Sequence, residues 1–301
     1  MPALPRIAGM SLSALALVVV AAILHASWNI VAKKAGGNRH FVFLGGLMIV
    51  VLWAPLGVTL GWSQVPRWGW LEWSFLLASG LSHLLYFNVL LKGYRVSDLT
   101  VVYPVARGTG PLISAFVAAS VFGETLGLRG VLGIAAVCGG VFAVAGGPAL
   151  LRASHDPAQR ARVHAGIAWG AATGLLIAGY TLIDGYSVKR LAIAPVLVDY
   201  FGNLLRLPFM VPSALRDRAG VAETWRRYRL HAFVLATVSP LAYILVLYAA
   251  RMAPLSHVAP AREVSMLFAA LLGGRLLGEG ERGMRVAGAL LMAAGVVLLA
   301  Y

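Results

Sequence analysis

The sequence predicts an all-α membrane protein of ten transmembrane helices, arranged as two inverted five-helix repeats. Three observations carry this expectation. Of 301 residues, 60% are hydrophobic and only 12% charged, with a mean hydropathy of +0.82, whereas soluble domains carry about 25% charged residues. Apolar runs recur along the chain at roughly the 20 residues needed to cross the hydrocarbon. The stretch Val101 to Gly147 also returns from Val258 onward. With one residue of slack, Pro104 meets Pro260, Arg107 meets Arg262, and Gly123-Glu124 meets Gly278-Glu279. Val131, Gly133 and Gly140 meet Val286, Gly288 and Gly295, and Arg95 meets Arg251 upstream. A repeat with an odd number of spans must insert its second copy upside down, which gives a pseudo-two-fold axis in the membrane plane.

Arg6 is followed by an apolar run, Ile7 to Ala32, too long for a signal-peptide core, so it reads as the first span. The ten spans are expected at about 8–32, 41–61, 71–92, 100–122, 129–147, 164–187, 193–213, 230–249, 257–277 and 283–301. The repeats then occupy 1–147 and 164–301, joined by a connection at 148–163, and 214–229 is the other long connection. Small residues, with runs such as Gly139-Gly140 and Gly273-Gly274, allow close helix contact.

The net charge of +14 sits mainly in short connections between apolar spans. That placement suits anionic lipid rather than nucleic acid. Outside the spans, Arg6, Arg67, Arg129, Lys189, Arg190 and Arg251 fall on the side of the N-terminus, and sixteen Lys/Arg fall on the other. The positive-inside rule places both termini outside the cytoplasm. Cys138 is the only cysteine, so no intramolecular disulfide and no cysteine-based metal site is expected.

Span 1 carries His25, Asn29 and Lys33 at i, i+4, i+8, one polar stripe on an apolar helix, with Trp28 beside it. Polar groups in lipid are costly, so the stripe faces a wet cavity or serves as interhelical glue, and Lys33 can instead snorkel. Span 6 repeats the pattern with Tyr180 and Thr181 opposite Trp28 and Asn29. Asp184, near that span's end, is either a solvated cap or a buried functional carboxylate. Span 4 places Tyr103 and Arg107 one turn apart around Pro104, and span 9 carries Arg262 and Glu263 after Pro260. Proline and glycine weaken the helix there and free backbone groups for a ligand. A buried arginine is a binding hypothesis by default, against the alternative of a structural ion pair with Glu263 or Asp184. Glu263 and Asp184 are the candidate proton-coupling groups, with Arg262 opposing neutralisation of its neighbour.

Span 7 aligns Asp199, Asn203 and Arg206 on one face, read as an intrahelical ion-pair network. Tyr86, with His83, on span 3 and Tyr243 on span 8 enter as wall residues. Glu124 and Glu279, just before spans 5 and 10, complement the positive end of the following helix. No HExxH, GxSxG or P-loop occurs, so no catalytic site, cofactor or metal is expected.

From LHASWN in span 1 through GYTLIDG in span 6 to APARE and the final GALLMAAGVVLL, the chain resembles the drug/metabolite transporter superfamily, as a ten-span member with two EamA-type repeats. The Gly-Glu followed by a glycine-rich span is its most recurrent signature. The resemblance implies two inverted five-helix units around a central cavity that move small metabolites without hydrolysing ATP. It implies no catalytic residue. It also implies cytoplasmic termini, opposite to the charge count. The expectation is an inner-membrane, multi-pass secondary transporter, monomer or homodimer, for a small organic metabolite, with a proton as candidate coupling ion. Arg107 and Arg262 attract an anionic group, and His25, Trp28, Asn29, Tyr103, Tyr180, Tyr86 and Tyr243 shape the pocket. Alternatives are a non-transporting interaction or sensor subunit, or a lipid-carrier flippase of the same fold.

Overall fold

The computed structural model describes residues 9–35, 38–144, 156–272 and 282–301. Glu279, Arg6, Arg152 and the seam residues 148–155 lie outside the described residues, as does the side chain of Lys33. The described residues form helices and no strand: α1 (Leu12–Lys34), α2 (Arg39–Gln64), α3 (Trp70–Val96), α4 (Leu99–Phe122), α5 (Leu128–Val144), α6 (Pro157–Lys189), α7 (Pro195–Arg216), α8 (Arg218–Met252), α9 (Leu255–Ala261), α10 (Ser265–Leu272) and α11 (Arg282–Ala300). Six of them, α1 to α4, α6 and α8, are long and apolar enough to cross a membrane, and α5 and α11 are shorter apolar helices. In α7 the polar residues Asp199, Asn203 and Arg206 dilute the apolar run.

Two sequence expectations change. The connection expected at 214–229 is almost entirely helical: α7 runs to Arg216, Asp217 accepts the Gly220 N–H at 3.0 Å as an N-cap, and α8 begins at Arg218. At 1.5 Å per residue the 35 residues of α8 span about 52 Å, well beyond the roughly 30 Å hydrocarbon. Its first turns therefore project past the apolar layer, with Arg226, Arg227 and Arg229 exposed. Likewise α6 starts at Pro157 inside the expected seam, with Pro at its first position and Asp156 accepting the Ala158 N–H.

The extensive packing runs between the repeats. The main pairs are α5 with α11, α4 with α6, α1 with α8, α3 with α6, and α2 with α7 and α8. Exchanging each helix for its repeat counterpart turns α3–α6 into α8–α1 and returns α2–α7 and α5–α11 to themselves. Glycine lets α5 and α11 touch backbone to backbone. A Cβ on Gly140 would lie 2.6 Å from the Gly288 carbonyl, and one on Gly295 would lie 2.8 Å from the Gly133 carbonyl. Because 133 meets 295 and 140 meets 288, α5 and α11 run antiparallel. Gly46 meets Leu207 and Gly61 meets Leu197, so α2 and α7 are antiparallel as well.

Pro104 and Pro111 leave α4 a single continuous helix, contrary to the expected weakening. Its repeat counterpart is interrupted instead: a 3-10 turn, Arg262–Val264, separates α9 from α10 just after Pro260. The proline is not the cause by itself, since Pro104 occupies the matching position in the continuous α4. The two copies of one motif thus differ in backbone at the position that carries the arginine.

Candidate functional site

The interrupted helix brings the site together. Glu263, in the 3-10 turn, is fully buried and lies between two guanidinium groups. Arg107 Nε from α4 is 3.0 Å from Glu263 Oε2, and Arg262 Nε is 3.5 Å from Oε1. These are charge contacts without hydrogen-bond alignment, since neither Nε nor either carboxylate oxygen has a hydrogen-bond partner. Arg107 Nη2 donates to Ser265 Oγ at 3.2 Å and lies 3.5 Å from His25 Nε2, while Arg262 Nη2 donates to Thr181 Oγ1 at 3.0 Å. Among the described residues, Nη1 of neither arginine forms a hydrogen bond. Within ion-pairing distance the two guanidinium groups share a single carboxylate. Buried charges away from water are costly, which marks the cluster as a functional site.

Aromatic rings surround this centre. Arg107 lies 5.7 Å from the Tyr103 ring centroid and Arg262 lies 5.7 Å from that of Tyr180, both within cation–π range. Tyr180 stacks on His83 at 4.1 Å and meets Tyr86 at 5.7 Å and Tyr243 at 6.4 Å. The Tyr243 hydroxyl donates to the Asp184 carboxylate. Asp184 is fully buried, which excludes its reading as a solvated cap. His25 and Trp28 pack edge to face at 5.0 Å, and the buried Trp28 indole N–H has no partner.

Residues from both repeats therefore converge on one place: His25, Trp28, Tyr86, Tyr103 and Arg107 from the first, and Tyr180, Asp184, Tyr243, Arg262 and Glu263 from the second. Among the described residues Asn29 bonds within its own helix, its amide donating to the His25 carbonyl at 2.7 Å. Ser265 escaped the sequence reading, since a serine three residues after an arginine carries no signal of its own. Thr181 showed there only as the counterpart of Asn29.

A profile of the EamA-like transporter family matches residues 12–146 and 164–301. The chain belongs to the EamA-like transporter family. Its members are membrane transporters rather than enzymes, and this member is a multi-pass membrane protein. No curated protein matches it. Among solved structures, a protein crystal structure is similar in fold, with a TM-score of 0.68 at 17% identity over 96% of this chain and 97% of its own.

The Gly-Glu pair that recurs in the two repeats has a structural explanation in its first copy. Gly123 ends α4 in the left-handed conformation, at φ 66°, which glycine alone adopts without strain. That turn aims Glu124 away from α5, the helix it was expected to complement, and onto the start of α9. Glu124 accepts the Leu255 N–H at 2.8 Å and the Ser256 N–H at 2.9 Å, and pairs with Lys189 Nζ at 3.1 Å. Lys189 also donates to the Ala253 carbonyl at 2.8 Å. Pro254 offers no side-chain cap to α9, so the first repeat caps the second. On α7, Asn203 donates to the Asp199 backbone carbonyl at 2.8 Å and Arg206 donates to Asn203 Oδ1 at 2.5 Å. The expected ion-pair network is thus an amide-linked ladder.

Two apolar grooves lie on the outer flanks. One of about 330 Å³ is lined by Phe43, Leu215 and Trp225, and one of about 550 Å³ by Gly57, Trp62 and Tyr200. Neither includes a residue of the charged centre.

Proposed function

We propose that this chain is an inner-membrane secondary transporter for a small organic anion, working by alternating access. Its ten crossings form two five-helix halves, 1–147 and 164–301, inserted in opposite orientations. The antiparallel courses of α2 and α7, and of α5 and α11, support the inversion.

The observation that carries the substrate class is that Arg107 and Arg262 share one carboxylate at ion-pairing distance, while the other buried carboxylate of the cluster, Asp184, is held by Tyr243. Each guanidinium retains donors for a carboxylate or phosphonate, and Arg presents them as a fork. Tyr103, Tyr180, Tyr86 and Tyr243, with His25, Trp28 and Asn29, form the wall against the organic part. The substrate meets both halves at once, so each half reports its presence to the other.

The deciding experiment is flux into proteoliposomes carrying the purified protein, using a panel of small organic anions, cations and neutral metabolites. Saturable flux of one or more anions is expected, lost when both arginines are replaced by alanine. Saturable flux of neutral or cationic solutes alone would remove the anionic class. Absence of all solute flux, with labelled lipid crossing instead, would favour the flippase reading that the lateral grooves suggest.

A further inference from the structure

We infer that Glu263 is a built-in stand-in for the transported anion. Its carboxylate holds Arg107 and Arg262 before substrate arrives, a bound organic monoanion takes its place between the two guanidinium groups, and one proton neutralises the carboxylate so released. This rests on the anion-transport reading above and adds to it a substrate charge and a coupling stoichiometry.

Three observations carry it. The first is asymmetry. Arg107 and Arg262 are repeat counterparts, but the position after Arg107 is Gly108 where the second repeat has Glu263. A pair of arginines needed only for stability calls for one carboxylate each, whereas here one serves two. The second is geometry. At 3.0 and 3.5 Å, with no hydrogen bond to either oxygen, the carboxylate supplies charge without the aligned fork that guanidinium groups form with their best partners. A freely oriented ligand carboxylate is the better partner. The third is position. Glu263 sits in the 3-10 turn between α9 and α10, and mid-helix turns of this kind mark hinges. A small change there withdraws Glu263 while Arg107, on a continuous helix, stays in place.

Charge fixes the stoichiometry. Before binding, the two guanidinium groups face the Glu263 carboxylate. With a monoanion bound and Glu263 protonated, they again face one negative charge, so the total for the centre, Asp184 included, is unchanged. The proton enters on the Glu263 carboxylate and leaves when the anion leaves and the carboxylate returns to the arginines. The other titratable groups facing the centre are His25 on α1, His83 and Tyr86 on α3, Tyr103 on α4, Cys138 on α5, Tyr180 and Asp184 on α6 and Tyr243 on α8. His83, stacked on Tyr180, would if protonated add a further cation on the Arg262 side. Tyrosine and cysteine side chains carry no charge to give up at neutral pH. A protonated His25 would add a third cation beside Arg107. Asp184 is engaged by Tyr243. Glu263 alone exchanges a proton for an anion at constant charge.

Acetate is the test ligand, being a carboxylate with almost no body. The full-length protein in detergent is unfolded thermally with sodium acetate against sodium chloride at equal ionic strength, at pH 6 and pH 8, and apparent affinity is read from the rise in Tm. Wild type should bind acetate more tightly at pH 6, by up to about tenfold per pH unit. Glu263→Gln should bind about tenfold more tightly than wild type at pH 8, with no dependence on pH. Equal, pH-independent stabilisation of both proteins would overturn the stand-in role and leave the anion site intact. No stabilisation of either protein would overturn both. Should Glu263→Gln fail to fold, the pH comparison in wild type decides the matter by itself.

Discussion

At the scale of single residues, the molecule turns on how two arginines share one carboxylate. Replacing Arg107 or Arg262 with alanine removes one of the two guanidinium groups that share Glu263. Anion affinity should then fall by roughly ten- to a hundredfold in proteoliposome uptake, as expected for loss of a charge-assisted hydrogen-bonding partner. Lysine at either position restores the charge but not the fork, so it should recover little of the loss. Affinity fully recovered by lysine would show that charge alone is read. Both arginines stood out in the sequence, because a guanidinium inside an apolar span has few reasons to be there. That Glu263 would bridge them was not legible. Its neighbour Arg262 was an evident partner, but Arg107 lies 156 residues away by numbering and reaches it only through the contact of α4 with α9. Asp184 stayed open between a solvated cap and a buried carboxylate for a similar reason: position in a span does not reveal burial, and Tyr243, its partner, lies on another helix.

At the scale of elements, repeated sequence does not mean repeated role. Glu124 was expected on the helix that follows it, because in sequence that is the nearest positive terminus. The left-handed turn at Gly123 redirects it to α9, in the other repeat. Glu124→Ala should therefore strip α9 of its cap and leave Lys189 without its carboxylate. A loss of about 2–3 kcal/mol of stability is expected, read as a fall in Tm, with Glu124→Gln intermediate. A loss no larger than that of an exposed glutamate would refute the cap. The small-residue expectation carried over well, since Gly133, Gly140, Gly288 and Gly295, matched in the repeat, are the positions where α5 and α11 touch. Gly140→Val should push the helices apart and cost about 3 kcal/mol or prevent folding, because its Cβ would meet the Gly288 carbonyl and the Met292 backbone nitrogen, which cannot yield, as well as the Met292 side chain. Element ends were the least legible part. Stretches such as 214–229 read as loops because they are polar, but a polar helix beyond the membrane surface needs no apolar face.

At the scale of the whole molecule, the two ends of the helix bundle differ in charge, and this decides how it sits in the membrane. Gly9 packs against the Ala300 carbonyl, so both described chain ends lie together. Trp62 and Trp70, 83% and 80% exposed, lie at this same end, as aromatic residues at a membrane interface do. Of the basic residues here, Lys189 is already engaged by Glu124. The opposite end gathers exposed Arg39, Arg160, Arg162, Arg216, Arg218, Arg226, Arg227 and Arg229 around the ends of α2, α6, α7 and α8. Arg39 and Arg162 pair with Asp217 and Asp98, but orientation follows Lys and Arg themselves rather than net charge. Each basic side chain near an anionic surface contributes about 1 kcal/mol, so the unpaired arginines of the α8 extension outweigh what the other end offers. The basic end should therefore face the cytoplasm and both termini the opposite side. Alkaline phosphatase fused after Tyr301 should be active and green fluorescent protein at the same site dark. Replacing Arg226, Arg227 and Arg229 together with alanine should shift part of the population towards the reverse orientation. A fluorescent, phosphatase-inactive C-terminus in the wild type would show that the cytoplasmic termini expected from the family resemblance hold here despite the charge.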